Sequence, residues 1–327
     1  MLRILLRAPL VVLLCMALTS AVLAAPTSYS FLSVANPNDT AFTQLLGINN
    51  ASTIAGYWGD GTVVANHGFT LVLPNTFTPE NVPSSTQTQV IGINNTGWTA
   101  GFYVDAATPG VTHGFTYNGS FTTVDAPGTA FNQLLGINNS LTAVGYSSLD
   151  ATGMTLQRSF TVSGSTFNYL DGFLPMGVGN NQAVGINNAG LVVGFYADSM
   201  GVLHGYLFNG ATATPLDYLG GMGTQAFGIN NHGEIVGDYT DSMGVMHGFT
   251  YGATWQTVDV PGANAGSTVI NGVNDKGQLV GFYNTGSGPS LATIGFVATP
   301  TPEPGSLLLL GSGILAGLGV LRRKLQR

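Results

Sequence analysis

Gly47-Ile48-Asn49-Asn50 decides the fold, because the phrase keeps returning. It recurs as Gly92-Ile93-Asn94-Asn95, Gly136-Ile137-Asn138-Asn139, Gly185-Ile186-Asn187-Asn188 and Gly228-Ile229-Asn230-Asn231, and closes, altered, as Gly272-Val273-Asn274-Asp275. The intervals are 45, 44, 49, 43 and 44 residues, a period shared by β-propeller blades and by some helical repeats. Local composition separates the two. The chain between these phrases is rich in Gly, Asn, Thr, Val, Phe and Tyr and lacks Ala-Leu-Glu-Lys stretches of helical period, so strands are expected.

Working outward from the Asn pair, each repeat parses into four short strands. The first runs into the pair, as in Gln133 to Asn138. The second carries an apolar-Gly-aromatic pattern, as in Leu191-Val192-Val193-Gly194-Phe195-Tyr196. The third opens on His-Gly-aromatic at His67, His113, His204 and His247, with Arg158 and Ile294 as departures. The fourth is Phe121-Thr122-Thr123-Val124-Asp125, repeated as Trp255 to Asp259. Asn94-Asn95-Thr96-Gly97 suits a type I turn leading into a left-handed Gly, joining first strand to second. Asn49 to Ser52 and Asn138 to Leu141 lack that Gly, so those two turns should be less ideal.

The strand count predicts how the array ends. Tyr29 to Val34 matches a fourth strand with no partner before it, and the sixth repeat stops after its third strand at Val297. We therefore expect an all-β six-bladed β-propeller over residues 26–298, built of six repeats of about 44 residues and closed by the N-terminal strand, which removes the exposed sheet edges.

The chain ends read as export signals. Arg3 and Arg7, the apolar run from Leu10 to Leu18 and the small residues up to Ala25 form a signal peptide over 1–25. Cys15, the one cysteine, falls inside it, so a mature protein would hold no disulfide or cysteine chemistry. At the far end, a Pro-rich spacer (299–304) precedes an apolar segment (305–321) expected to be a transmembrane helix, and a basic tail (322–327) expected to stay cytoplasmic. Between the ends only Arg158 and Lys276 oppose 14 carboxylates, a net charge of −12. Such a surface cannot neutralise phosphates, which excludes nucleic-acid binding.

Two resemblances rest on these residues. Pro302-Glu303-Pro304, the adjoining apolar run and Arg322-Arg323-Lys324 resemble the PEP-CTERM sorting signal. That resemblance implies recognition by an exosortase-like processing protease, transient membrane anchoring, and release to the cell surface or extracellular space, with an association with exopolysaccharide and biofilm. The alternation of His-Gly-Phe-Thr-Tyr with Gly-Ile-Asn-Asn resembles the HAF-type extracellular repeat, whose motif names no activity.

Candidate sites are few. The repeated histidines occupy one equivalent place each, so they orient loops rather than converge on a metal. Asp60, Asp105, Asp150, Asp198 and Asp241 follow the second strand singly and read as turn formers, without the dense spacing of a calcium loop. Neither a cofactor nor a catalytic residue is nominated. If the first strand is innermost, Asn50, Asn95, Asn139, Asn188, Asn231 and Asp275 would ring one mouth of the central channel and offer hydrogen bonds to a hydroxylated ligand. The expected function is binding or structural, with extracellular polysaccharide as partner. The alternative is a propeller lyase or hydrolase, for which Arg158, breaking the His pattern, is the residue to test.

Overall fold

The computed structural model describes residues 28–108, 110–175 and 179–301. Tyr29–Pro300 forms one compact unit, and everything below concerns that unit. Each repeat supplies a meander of antiparallel strands. The first repeat places Thr43–Ile48 beside Thr53–Trp58, His67–Val72 and Thr76–Pro79, and the fourth repeats this with Asn181–Ile186, Val192–Ala197, Leu203–Phe208 and Ala213–Leu216.

The expectation of six separate blades is corrected. The structure is an all-β propeller with four discrete four-stranded blades rather than six. The second and third repeats run together as a single eight-stranded sheet. The cause is local: the first strand of the third repeat, Phe131–Ile137, begins early enough for Phe131 to pair in parallel with Thr112 of the repeat before. The expected transmembrane helix has no counterpart among the described residues. Among the described residues no helix is long and apolar enough to cross a membrane, and residues 305–321 lie outside them, as do residues 1–27 and the basic tail.

The closing strand sits where the strand count places it. Tyr29–Val34 lies antiparallel to Ala292–Pro300, with Phe31 opposite Ala298 and Val34 opposite Gly295. It completes the sheet begun by Val269–Val273 and Leu279–Thr285. Phe31 packs 5.8 Å from the ring of Phe296, and Val34 is buried with Leu45, Phe69 and Val280.

Apolar residues cluster between repeats rather than at the axis. Each cluster joins one residue from a second strand to the interior of the following repeat: Ala55 to Val90 and Phe115, Ala100 to Leu134 and Phe160, Val144 to Ala183 and Tyr206. Val193, Val236 and Val280 continue the series. No repeat could bury its aromatic alone, which is why the motif occurs as an array.

The glycine of Gly-Ile-Asn-Asn has a steric reason. The six first strands converge, and a Cβ on Gly47 would lie 2.6 Å from the carbonyl oxygen of Ile91, one on Gly136 2.6 Å from that of Val184, and one on Gly272 2.8 Å from that of Leu46. The strand register slips by one residue just before each of these glycines, as between Leu45 and Gly47, the signature of a bulge that bends a strand at a crowded place.

Candidate functional site: the asparagine mouth

The first Asn of each pair does two jobs. Its Oδ1 accepts backbone N–H groups of its own turn, for Asn94 those of Thr96 and Trp98 at 2.9 and 3.0 Å. Its Nδ2 donates to the backbone carbonyl of the first Asn in the next repeat. The donations run Asn49 to Asn94 at 3.1 Å, Asn94 to Asn138 at 2.9 Å, Asn138 to Asn187 at 3.2 Å, Asn187 to Asn230 and Asn230 to Asn274 at 3.1 Å each, and Asn274 back to Asn49 at 3.0 Å. Six side chains thus form a closed hydrogen-bonded circle, and all six are buried, between 3% and 5% exposed. Only an amide combines acceptor and donor in this way; Asp here would lose the donation.

A second circle lies outside the first. The backbone N–H of Asn50 donates to Oδ1 of Asn95, Asn95 to Asn139, Asn139 to Asn188, Asn188 to Asn231, Asn231 to Asp275, and Asp275 to Asn50, all at 2.8 to 2.9 Å. Here the side chain need only accept, which is why the sixth repeat carries Asp without breaking the circle. Asp275 Oδ2 also accepts Nδ2 of Asn50 at 2.6 Å and of Asn231 at 2.8 Å. Burial works against its charge, but these hydrogen bonds prevail and hold the carboxyl below its ordinary value.

All six residues of the expected ring therefore meet at one mouth. Together with the inner Asn94, Asn138, Asn187, Asn230 and Asn274 and the Ile or Val before each pair, they line a cavity of about 60 Å³, room for water but not for a sugar ring. Sequence reasoning missed the inner circle: Asn49, Asn94, Asn138, Asn187, Asn230 and Asn274. Its signal was present, since the first Asn never varies between repeats while the second tolerates Asp.

The histidines start the third strands, at the ends remote from the mouth. His113 Nδ1 lies 2.6 Å from Asp125, His204 Nδ1 3.0 Å from Asp217 and His247 Nδ1 2.7 Å from Asp259. Each ring stacks on an aromatic near the end of the second strand, Tyr103, Tyr196 and Tyr239, while His67 stacks on Trp58. They clasp third strand to fourth. Arg158 replaces His in the third repeat and keeps the clasp, its Nε 2.5 Å from Asp171 and its guanidinium 4.0 Å from the Tyr169 ring centre. Among the described residues, no group of three or more His, Cys, Asp or Glu side chains is placed to hold a metal ion.

The single aspartates close turns. The Val64 and Thr62 backbone N–H groups hold Asp60 at about 2, and the Thr152 hydroxyl and amide hold Asp150 at about 2. Asp198 and Asp241 accept in the same manner, from Val202 and Val245 foremost.

One charged residue breaks the pattern of the second strands. Asp238 stands directly after the second-strand glycine, where the other repeats place Tyr57, Phe102, Tyr146, Phe195 and Phe282. It is 5% exposed, and burial pushes its carboxyl up to about 7. In the preceding seam, Phe195 meets Phe227 edge to face at 6.0 Å; the position equivalent to Phe227 in the sixth repeat is Asn271. Asn271 Oδ1 is buried with no hydrogen-bond partner among the described residues.

The sorting-signal residues Pro302, Glu303, Pro304, Arg322, Arg323 and Lys324 lie outside the described residues, but their sequence is informative. Residues 300–324 match the PEP-CTERM protein-sorting motif. A PEP-CTERM signal implies an exported surface protein. No curated protein matches the chain. Among solved structures, a Trypanosoma rangeli sialidase aligns with a TM-score of 0.44 at 10% identity over 89% of this chain and 60% of its own, so the chain spans about 60% of that protein's length. The fucose-specific lectin from Aleuria aurantia aligns at 0.47 with 12% identity, covering 81% of this chain and 100% of the lectin. AofleA from Arthrobotrys oligospora gives 0.47 at 9% identity over 82% and 86%. At such distances none of them bears on activity.

Proposed function

We propose that this PEP-CTERM protein is an exported binding module whose partner is an extracellular polysaccharide, and that an exosortase-like protease processes its C-terminus. The observation that carries the binding reading is the outer circle. It displays Asn95, Asn139 and Asn188 as exposed side chains on one rim, their Oδ1 atoms committed to the circle, which leaves their Nδ2 donors for a ligand. A row of fixed amide donors over a mouth too small to admit a sugar suits a hydroxylated polymer lying across the surface, held by many weak hydrogen bonds. The net negative charge between the ends favours a neutral polymer over an anionic one.

A glycan array probed with residues 26–300 tests this. Binding to one class of neutral polysaccharide, weakened when Asn95, Asn139 and Asn188 are all changed to Asp, is the expected result. Those variants keep the acceptor each neighbour needs and lose the donor. Turnover of the bound polymer would instead establish the lyase or hydrolase reading, and loss of that turnover in Arg158→Ala would place Arg158 in it.

A further inference from the structure

The third repeat is the longest, and the extra residues build something the others lack. After its fourth strand, Thr166–Tyr169, the chain makes a single 3-10 turn at Asp171–Phe173. Leu170 and Leu174, 2% and 8% exposed, pin the turn from both sides into the core shared with the fourth repeat. The Arg158–Asp171 pair fastens its start. Between these anchors Phe173 is left 44% exposed, its ring held 5.0 Å from that of Phe208. The ring thus packs one side on Phe208, at the edge of the core that pins the turn, and leaves the rest of its surface open.

Phe173 forms one wall of a cavity of about 590 Å³ between the third and fourth repeats, within the range of sites for small organic ligands. Its other walls mix aromatic and polar groups: Phe167 and Tyr169 supply rings, while Asn168, Thr142 and Thr161 supply an amide and hydroxyls. Apolar ring faces beside uncharged hydrogen-bonding groups match the two chemistries of a pyranose, whose C–H face is apolar and whose hydroxyl edge is polar. The nearby guanidinium is already committed to Asp171 and Tyr169, so the cleft selects no ion. Asn138 and Ile186 line both this cleft and the asparagine mouth, so the two are neighbours.

We propose that this cleft is a second, stronger saccharide site that seats one neutral sugar ring against Phe173 while the polymer continues across the mouth. It rests on the polysaccharide-binding reading but assigns affinity to a different place. The test uses the full-length protein and saturation-transfer NMR with methyl glycosides of glucose, galactose and mannose, with methyl glucuronoside as the charged control. One neutral glycoside should bind and the glucuronoside should bind more weakly. Phe173→Ala should weaken the neutral ligand about tenfold, the scale of losing an aromatic contact, with only a small drop in melting temperature because the ring is half exposed. Asn168→Ala should weaken it less, and the triple Asn95, Asn139 and Asn188 to Asp variant should leave monosaccharide binding intact while reducing polymer binding. Monosaccharide binding that survives Phe173→Ala, or that is lost only in the triple variant, overturns the cleft and leaves the mouth. Polymer binding lost in Phe173→Ala but unaffected by the triple variant keeps the cleft and removes the mouth. Absence of binding to any glycan overturns both.

Discussion

Asn274 Nδ2 donates to the carbonyl of Asn49 at 3.0 Å across 225 residues of sequence. That contact joins the last repeat to the first, in the same geometry that joins every other pair of neighbours. It gives the molecule two independent closures, one at the axis through side-chain amides and one at the rim through the N-terminal strand.

The two circles should respond differently to the same substitution. Asn138→Asp removes a buried donor to the Asn187 carbonyl, which keeps only the Gly190 N–H, and leaves an acceptor-only carboxylate buried in its place, which costs about 1–3 kcal/mol. Asn139→Asp keeps its acceptor and sits on the exposed side, so it should change stability by no more than about 0.5 kcal/mol. Paired denaturant titrations check the contrast, and equal losses would mean that the inner circle has no special role.

Deleting residues 26–35 should lower the melting temperature sharply and promote oligomers. It withdraws Val34 and Phe31 from the cores they join, at about 1.5–3 kcal/mol for a large apolar side chain, and it bares Ala292–Pro300 as an edge. Scanning calorimetry and light scattering would show it; a monomer with unchanged melting would refute closure at the rim.

Leu141→Gly should be stabilising. Ser52 and Leu141 hold the left-handed turn position with φ of 64° and 60°, where other repeats place Gly97, Gly190, Gly233 and Gly277. Relief of a side chain in that region is worth about 1 kcal/mol after the entropy Gly costs elsewhere. The measurement is a denaturant midpoint that moves upward.

Asp238 should make stability fall as pH rises. Its folded value of about 7 lies above the ordinary 3.8, so the folded state holds the proton more tightly than the unfolded chain. The benefit is complete below about pH 4 and is lost as pH climbs through about 7. Burial raises Glu234 and Glu80 too, so they act in the same direction. Asp238→Phe, restoring the aromatic of the other repeats, should gain a few kcal/mol at neutral pH and flatten the profile between pH 4 and 7. A profile unaltered by Asp238→Phe would assign the dependence to the two glutamates.

In a host with an exosortase, the surface form should lack Arg322 to Arg327. Intact mass of extracellular protein decides this, and a full-length C-terminus there would sink the processing reading.

Much of this was legible in the residues. The Gly-Ile-Asn-Asn spacing located all six first strands, and the stray strand at Tyr29 foretold its pairing with the last sheet. The departures came from effects that repetition hides. Phe131 joins two sheets because one strand starts early, a register detail that no motif records. The inner asparagines were read only as turn formers because their donors act across about 44 residues, beyond local pattern. Asp238 is not visible in the column of histidines, because its oddity lies in the column of aromatics. Phe173 belongs to the third repeat, whose interval of 49 residues marks the extra chain but not what it builds.

The placement of Tyr29–Val34 also sets how the unit meets mechanical load. Tension arriving from the C-terminal side enters at Pro300, in a strand bonded on one flank to Leu279–Thr285 and on the other to Tyr29–Val34. Pulled along its length, such a strand must shear two ladders of hydrogen bonds at once, whereas an outermost strand would peel away bond by bond. The six residues of Tyr29–Val34 therefore serve as a brace for the far end of the compact unit.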